Sequence, residues 1–124
     1  MILVDTSVWV DHFRQADPEL TAALNTGRVS VHPWVIGELA CGNLHARSEI
    51  LALLKGLPGF KVVSEDELLF FIERHQLMGR GIGFVDVQLL ASAALSGVGR
   101  LWTRDKRLHA VASTLGLAHA EAGH

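Results

Sequence analysis

The sequence predicts an α/β fold in which helices cover both faces of a parallel sheet of four to five strands. Short apolar runs alternate with longer segments of helical periodicity along the whole chain. Such alternation is typical of parallel sheets, because a crossover helix must return the chain to the start of the next strand. The chain has 124 residues, 49% apolar and 19% charged. This length is enough for one domain with its own core.

The strands are predicted from β-rich apolar runs bounded by turn or cap residues. Four runs are expected to pair in the sheet, and a fifth is expected to add a short edge strand. We expect the domain to span residues 1–119 and the tail 120–124 to be frayed. The four runs and the edge segment are, in order, residues 2–4, 29–31, 60–63, 101–103 and 117–118.

The helices are predicted from capping residues and from apolar stripes at helical spacing. Asp17 precedes Pro18 as a cap, and Ser64 is followed three residues later by Glu67, as in a capping box. Glycines and prolines separate the segments. The predicted helices cover residues 6–14, 18–26, 34–41, 47–54, 65–78, 85–96 and 106–115.

Composition excludes several classes of protein. The longest unbroken apolar runs are five residues, whereas a membrane span needs about 20. The single cysteine, Cys41, excludes an internal disulfide and a cysteine-rich zinc site. No secretory leader is visible at the N-terminus, so we expect a cytoplasmic protein with no membrane partner.

The charge balance indicates that nucleic acid would not be attracted by the chain as a whole. Eleven Lys and Arg against thirteen Asp and Glu give a formal net charge of −2. Binding to a phosphate backbone would therefore depend on local arginines or on a bound cation. Arg104, Lys106 and Arg107 are candidates for such contacts, with solvent exposure as the alternative.

Four acidic residues stand apart by position. Asp5 and Asp105 follow predicted strands, and Asp86 opens a helix. Ligands of open α/β sheets bind at the carboxyl ends of the strands. Asp5 and Asp105 could instead be helix caps, and Asp86 could instead interact favourably with the dipole of its helix. Glu38 lies within an apolar helix, where burial of an unpartnered glutamate is unfavourable.

Convergence of the four carboxylates would create repulsion that a divalent cation relieves. Two carboxylates about 5 Å apart repel by roughly 3 kcal/mol at an effective dielectric of 20. Oxygen ligands and several waters suit Mg²⁺, with Mn²⁺ as an alternative. Such an ion lowers the pKa of a bound water and neutralises charge on a phosphodiester.

These segments together resemble the PIN-domain family, and more narrowly the VapC-type toxins of bacterial toxin–antitoxin pairs. The opening Ile2-Leu3-Val4-Asp5-Thr6-Ser7-Val8-Trp9 carries the resemblance, followed by Glu38, Asp86 and the run from Thr103 to Leu108. It extends over essentially the whole chain. It implies a Mg²⁺-dependent endoribonuclease with Asp5, Glu38, Asp86 and Asp105 as an acidic quartet.

The resemblance also implies roles and partners. Asp5 and Asp86 would hold the metal, and Ser7 and Thr103 would support it. A homodimer and a small antitoxin are implied, the antitoxin lying in an apolar groove and placing an Arg at the acids. Large apolar side chains that could form such a groove are Trp9, Phe13, Trp34 and Leu44, and one side of the helix through Leu68 and Ile72 could face another subunit.

Two other functions are weighed against the nuclease. A non-catalytic module of the same fold would bind a basic peptide without turnover. A phosphoacceptor receiver domain would need paired acids after the first strand, whereas Asp5 stands alone. The glycines at 79, 81 and 83 lack the spacing and the preceding strand of a nucleotide-binding fingerprint, and they are a minor departure from the family pattern.

Overall fold

The computed structural model describes residues 1–121, which form an α/β domain built on a small parallel sheet. Helices separate the three strands in these residues, but the predicted alternation is only partial, because two helices follow the first strand and four follow the second. In chain order the elements are β1 Ile2–Val4, α1 Thr6–Arg14, α2 Pro18–Asn25, β2 Val29–Ser30, α3 Pro33–Ala40, α4 Arg47–Lys55, α5 Glu65–His75, α6 Phe84–Ser96, β3 Arg100–Trp102 and α7 Lys106–Thr114.

The sheet has the order β2-β1-β3, and both pairings are parallel. Ile2 pairs with Val29 on one side, and Val4 pairs with Trp102 on the other. The three residues of β1 are buried, which is typical of a parallel strand with both faces covered. Because parallel strands end at one edge, the residues after β1 and β3 lie close together.

The prediction of four to five strands is wrong, because the described part of the chain forms a sheet of three. Residues 60–63 are not a strand; Gly59 makes only an isolated bridge to Val31. The predicted edge segment is likewise reduced to one bridge between Leu101 and Ala118.

A buried glutamine side chain explains the missing strand. Val63 N–H donates to Gln88 Oε1 at 2.7 Å, and Gln88 Nε2 donates to the Val63 carbonyl at 3.0 Å. Ser92 Oγ donates to the Lys61 carbonyl at 3.0 Å. Side chains of α6 thus satisfy backbone groups that a neighbouring strand would otherwise bind, and a buried backbone group needs only one such partner.

The same glutamine joins α6 to the start of α3 through His32. His32 Nε2 lies 3.1 Å from Gln88 Oε1, and His32 Nδ1 accepts the Trp34 N–H at 3.0 Å. The ring is therefore neutral with its proton on Nε2. Burial lowers the pKa of His32 and outweighs the opposing effect of the hydrogen bond to Gln88.

Local capping signals account for the helix starts. Asp17 accepts the Leu20 N–H at 3.0 Å, and Ser64 accepts the Glu67 N–H at 3.2 Å. Helix α5 ends at His75 rather than near residue 78, with Gln76 in the left-handed region at φ 52°. In the described chain no helix is long and apolar enough to span a membrane.

The predicted tail is described only as far as Glu121. Its carboxylate accepts hydrogen bonds from Trp102 Nε1 at 2.6 Å and from Arg104 Nε at 2.7 Å. Residues 122–124 of the predicted tail lie outside the described residues.

Candidate active site

Asp5 lies at the centre of the candidate site, directly after β1. Its side chain is buried, and its Oδ2 accepts hydrogen bonds from Ser7 Oγ at 2.8 Å and Thr103 Oγ1 at 2.7 Å. Ser7 lies in the first turn of α1, and Thr103 follows β3. Two hydroxyls from neighbouring elements therefore fix one carboxylate oxygen, and no residue in the range 1–121 donates a hydrogen bond to Oδ1.

Asp105 is joined to the same network through Thr103. The Asp105 N–H donates to Thr103 Oγ1 at 3.1 Å, and Asp105 Oδ1 accepts the Leu108 N–H at 2.9 Å. The residue therefore caps α7 with one oxygen. Its side chain is exposed beside the Asp5 network.

Asp86 approaches from the start of α6. Its Oδ2 accepts the Gly83 N–H at 2.9 Å, which holds the carboxylate at the end of the loop before the helix. Burial raises the pKa of Asp86, the Gly83 hydrogen bond opposes that rise, and the negative charges of Asp5 and Asp105 add to it. Asp86 is thus close enough to Asp5 and to Asp105 for their negative charges to act on it.

Glu38 reaches the site from α3, and its side chain is exposed rather than buried as the sequence predicts. Its Oε1 accepts a hydrogen bond from Thr6 Oγ1 at 2.8 Å, and Thr6 follows Asp5 directly. The predicted burial of Glu38 is wrong, because α3 buries Val35 and Leu39 and leaves Glu38 exposed.

No cation among residues 1–121 pairs with these four acids. Within residues 1–121, no ion pair involves Asp5, Glu38, Asp86 or Asp105. In the same residues no three His, Cys, Asp or Glu side chains are grouped closely enough to hold one ion together. Mg²⁺ usually binds through one or two carboxylates and keeps several waters. The donor set fits such a water-rich site rather than a closed protein cage.

Arg104, adjacent to these acids in the chain, forms a different cluster, which sequence reasoning missed. The sequence predicts either a phosphate contact or solvent exposure for this side chain. Its guanidinium instead pairs with Asp11 at 2.8 Å, Asp17 at 2.6 Å and Glu121 at 2.7 Å. We call these four residues the Arg104 cluster. Only the tertiary fold brings these partners together, because they are separated by up to 93 residues in the sequence.

The two groups are joined by the backbone of Arg104, whose N–H donates to Ser7 Oγ at 3.1 Å. In the Arg104 cluster, burial alone would raise the pKa of Asp17. Hydrogen bonds from the Leu20 N–H and from Arg104, together with the charge of Arg104, instead lower it below its ordinary value. The side chain of Arg104 is therefore committed to structural ion pairs.

A two-part apolar groove runs from the site along α1 and α4. Its parts have volumes of about 390 and 330 Å³ and share Phe13 and Ile50. The first part includes Glu38 and Leu44, and the second includes Trp9. Trp34, also expected there, is not among the lining residues and packs edge-on against His32 with ring centroids 6.0 Å apart.

Comparison with known proteins identifies relatives of the whole domain. The family model described as PIN domain matches residues 2–113. "Ribonuclease VapC32" of Mycobacterium tuberculosis, matched in the strains CDC 1551 / Oshkosh and ATCC 25618 / H37Rv, is 51% identical over 121 residues, covering 98% of each chain. The predicted resemblance to the PIN-domain family and its VapC-type members is confirmed.

Solved structures share the fold at low sequence identity. PAE2754 from Pyrobaculum aerophilum superposes with a TM-score of 0.64 at 20% identity, covering 92% of this chain and 90% of the other. A chain in the structure of FitAB bound to an IR36 DNA fragment superposes with a TM-score of 0.59 at 17% identity, covering 100% of both chains.

Proposed function

The chain belongs to the PIN domain family, and from that membership we propose that it is a cytoplasmic, Mg²⁺-dependent endoribonuclease acting as the toxin of a toxin–antitoxin pair. The observation that supports this proposal best is the arrangement of Asp5, Asp86 and Asp105. They come from different elements, repel one another and have no cationic partner in residues 1–121. The name of the 51% identical relative, a ribonuclease, agrees with it.

In this proposal Asp5 and Asp86 hold the Mg²⁺ ion, or Mn²⁺ in its place. Glu38 and Asp105 would complete the site through waters or through a second cation. When bound, the ion supplies a more acidic water and neutralises charge on the phosphodiester. Ser7 and Thr103 orient Asp5 by donating to Oδ2, and within residues 1–121 no donor occupies Oδ1. The Gly83 N–H has the same orienting role for Asp86.

Cleavage of labelled RNA over a Mg²⁺ titration tests the proposal. Asp5→Asn keeps the shape of the side chain and one acceptor oxygen for Ser7 and Thr103 while removing its charge. We expect it to lower the cleavage rate by more than about a hundredfold without unfolding the protein. Asp11→Asn is the matched control, because Asp11 is paired with Arg104.

Undiminished cleavage by Asp5→Asn would refute the assignment of the quartet. Absence of cleavage by the unmodified protein with structured and unstructured RNAs, in Mg²⁺ or Mn²⁺, would refute the nuclease. Binding to a basic peptide without turnover would then favour the non-catalytic interaction module.

We propose that the antitoxin occupies the apolar groove along α1 and α4. The groove continues to Glu38, so a peptide with apolar side chains can extend a basic residue to the acids. Leu53 lines it and is 72% exposed. Leu53→Asp should therefore abolish co-purification with the product of the adjacent reading frame while leaving RNA cleavage intact. Co-purification that persists would place the partner elsewhere.

The proposed homodimer is supported by apolar side chains that α5 and α6 leave exposed. Leu68 and Phe71 face the core, whereas Leu69, Phe70 and Leu95 are at least half exposed. Exposed apolar side chains in contiguous positions are typical of subunit contacts. Phe70→Glu should shift the sedimentation coefficient to that of a monomer. An unchanged coefficient, dimeric or monomeric, would reject this face as the interface.

A further inference from the structure

In the glycine-rich segment between α5 and α6, Gly81 is closely approached by the side chain of Arg107. Gly81 has a φ of +78°, which favours glycine. A Cβ added at Gly81 would also lie 2.8 Å from Arg107 Cδ, 3.1 Å from Nη1 and 3.3 Å from Nε. The side chain of Arg107 therefore crosses the segment over Gly81 and occupies space that a Cβ at this position would fill.

This crossing brings the side chain of Arg107 from one element that carries an acid of the quartet to the segment before another. Arg107 is the second residue of α7, whose cap is Asp105. Gly81 lies two residues before Gly83, whose N–H holds Asp86. The side chain of Arg107 thus extends from the element that carries Asp105 to the segment that leads to Asp86.

Within the described residues, the guanidinium of Arg107 has no carboxylate partner. Its side chain is exposed, and it forms no ion pair with any of residues 1–121. Arg104 has three carboxylate partners and cannot serve the same purpose without losing them. Arg107 is therefore a guanidinium at the edge of the quartet that remains available to an external anion.

A single-stranded RNA approaching the quartet meets repulsion between its phosphates and the carboxylates. A guanidinium beside those acids provides two parallel donors to a phosphate. We propose that Arg107, positioned by Gly81, binds an RNA phosphate next to Asp86 and Asp105 and so sets the register of the strand at the site. This inference rests on the proposed ribonuclease function.

Steady-state cleavage of a labelled single-stranded oligoribonucleotide tests the role of Arg107. Arg107→Ala should raise KM by about tenfold and change kcat less, because a backbone contact contributes to binding. Arg107→Lys should recover part of the loss, since it keeps the charge but not the planar fork. Arg74→Ala, which removes the same charge from the last turn of α5, is the control and should leave KM unchanged.

Binding measured without cleavage separates this inference from the nuclease proposal. In an Asp5→Asn background, fluorescence anisotropy with the same RNA should show a lower salt dependence for Arg107→Ala, with the slope of log K against log salt reduced by about 0.7. A purely structural role of Arg107 would leave that slope unchanged.

Glycine substitutions test the positioning. Gly81→Ala introduces both backbone strain and a clash with Arg107, whereas Gly79→Ala, at φ +71° with no atom within 4 Å of the added carbon, introduces strain alone. We expect Gly81→Ala to raise KM as Arg107→Ala does, and Gly79→Ala to leave it unchanged. The double variant of Gly81 and Arg107 should be no worse than Arg107→Ala, because both changes remove one contact.

The inference would be overturned if the unmodified protein cleaves RNA and Arg107→Ala changes neither KM nor the salt slope. That result would leave the ribonuclease proposal standing. A protein that neither binds nor cleaves RNA would overturn both. Equal effects of Gly79→Ala and Gly81→Ala would show that the segment, rather than the contact with Arg107, determines KM, and would reject the positioning by Gly81.

Discussion

Two groups of carboxylates lie at the chain that follows β3, and they differ in whether a cation neutralises their charge. In the Arg104 cluster, Asp11, Asp17 and Glu121 share one guanidinium. In the acidic quartet, Asp86 faces the negative charges of Asp5 and Asp105. The pKa of Asp17 is lowered and that of Asp86 is raised.

This difference indicates that one group of carboxylates stabilises the fold and that the other is the candidate functional site. Neutralised acids stabilise the native state, whereas acids held together without a cation reduce its stability unless a ligand binds. The Arg104 cluster also ties Glu121 to α1 and to the start of α2, so it holds the C-terminal part of the chain beside the site. We therefore interpret the cluster as support and the quartet as the place where an external cation acts.

The largest effect is expected from Arg104→Ala. It leaves three carboxylates without their cation, two of them at most 20% exposed. We expect the free energy of unfolding to fall by about 2.5 kcal/mol, a value between those of exposed and fully buried pairs. Chemical denaturation measures it. Arg107→Ala is the control, and an equal loss in that variant would contradict a special role for the cluster.

A smaller loss is expected from Asp17→Asn, with a defined pH dependence. Asparagine can still cap α2, so the change removes mainly the charge facing Arg104. Because the folded pKa of Asp17 is lowered from 3.8, its stabilisation is present above about pH 4 and is lost as the pH falls through the folded pKa. We expect a loss of about 1.5 kcal/mol at pH 7 that disappears on acidification.

Denaturant titrations of Asp17→Asn and the unmodified protein at several pH values give this difference. Glu19→Gln, in the first turn of α2, serves as the control for a charge removed from the same helix. A difference that stays constant down to pH 2 would contradict the assigned cause.

The smallest effect, and the only gain, is expected from Asp86→Asn in metal-free buffer. Because the folded pKa of Asp86 is raised from 3.8, ionisation destabilises the native state as the pH rises through the folded pKa, and the penalty is absent below about pH 3.8. Removing the charge should therefore raise the free energy of unfolding by about 1 kcal/mol at pH 7.

Addition of Mg²⁺ should reverse the order of these two proteins. An ion bound at the proposed site would raise the Tm of the unmodified protein, while Asp86→Asn would gain little. Thermal unfolding with EDTA or with Mg²⁺ measures both states. A Tm of the unmodified protein that does not respond to Mg²⁺ or Mn²⁺ would argue against a metal at the quartet.

Much of the fold could be predicted because its signals are local. Asp17 and Ser64 cap helices through their own neighbours, and the acids after β1 and β3 reach one edge because parallel strands end there. The predicted strand at 60–63 failed for a physical reason. Its apolar run does indicate burial of Val63, but the sequence does not reveal that Gln88 supplies the hydrogen bonds of a strand.

By itself, the sequence determined the α/β class, the helix starts and the placement of Asp5 and Asp105 at the sheet edge, since each depends on a few adjacent residues. Only the tertiary structure decided which charges meet: Arg104 with three acids, Arg107 over Gly81 and Asp86 opposite Asp5. The physical reason is that charge pairing depends on distances of a few ångströms between side chains far apart in the chain, and packing of the whole domain sets those distances.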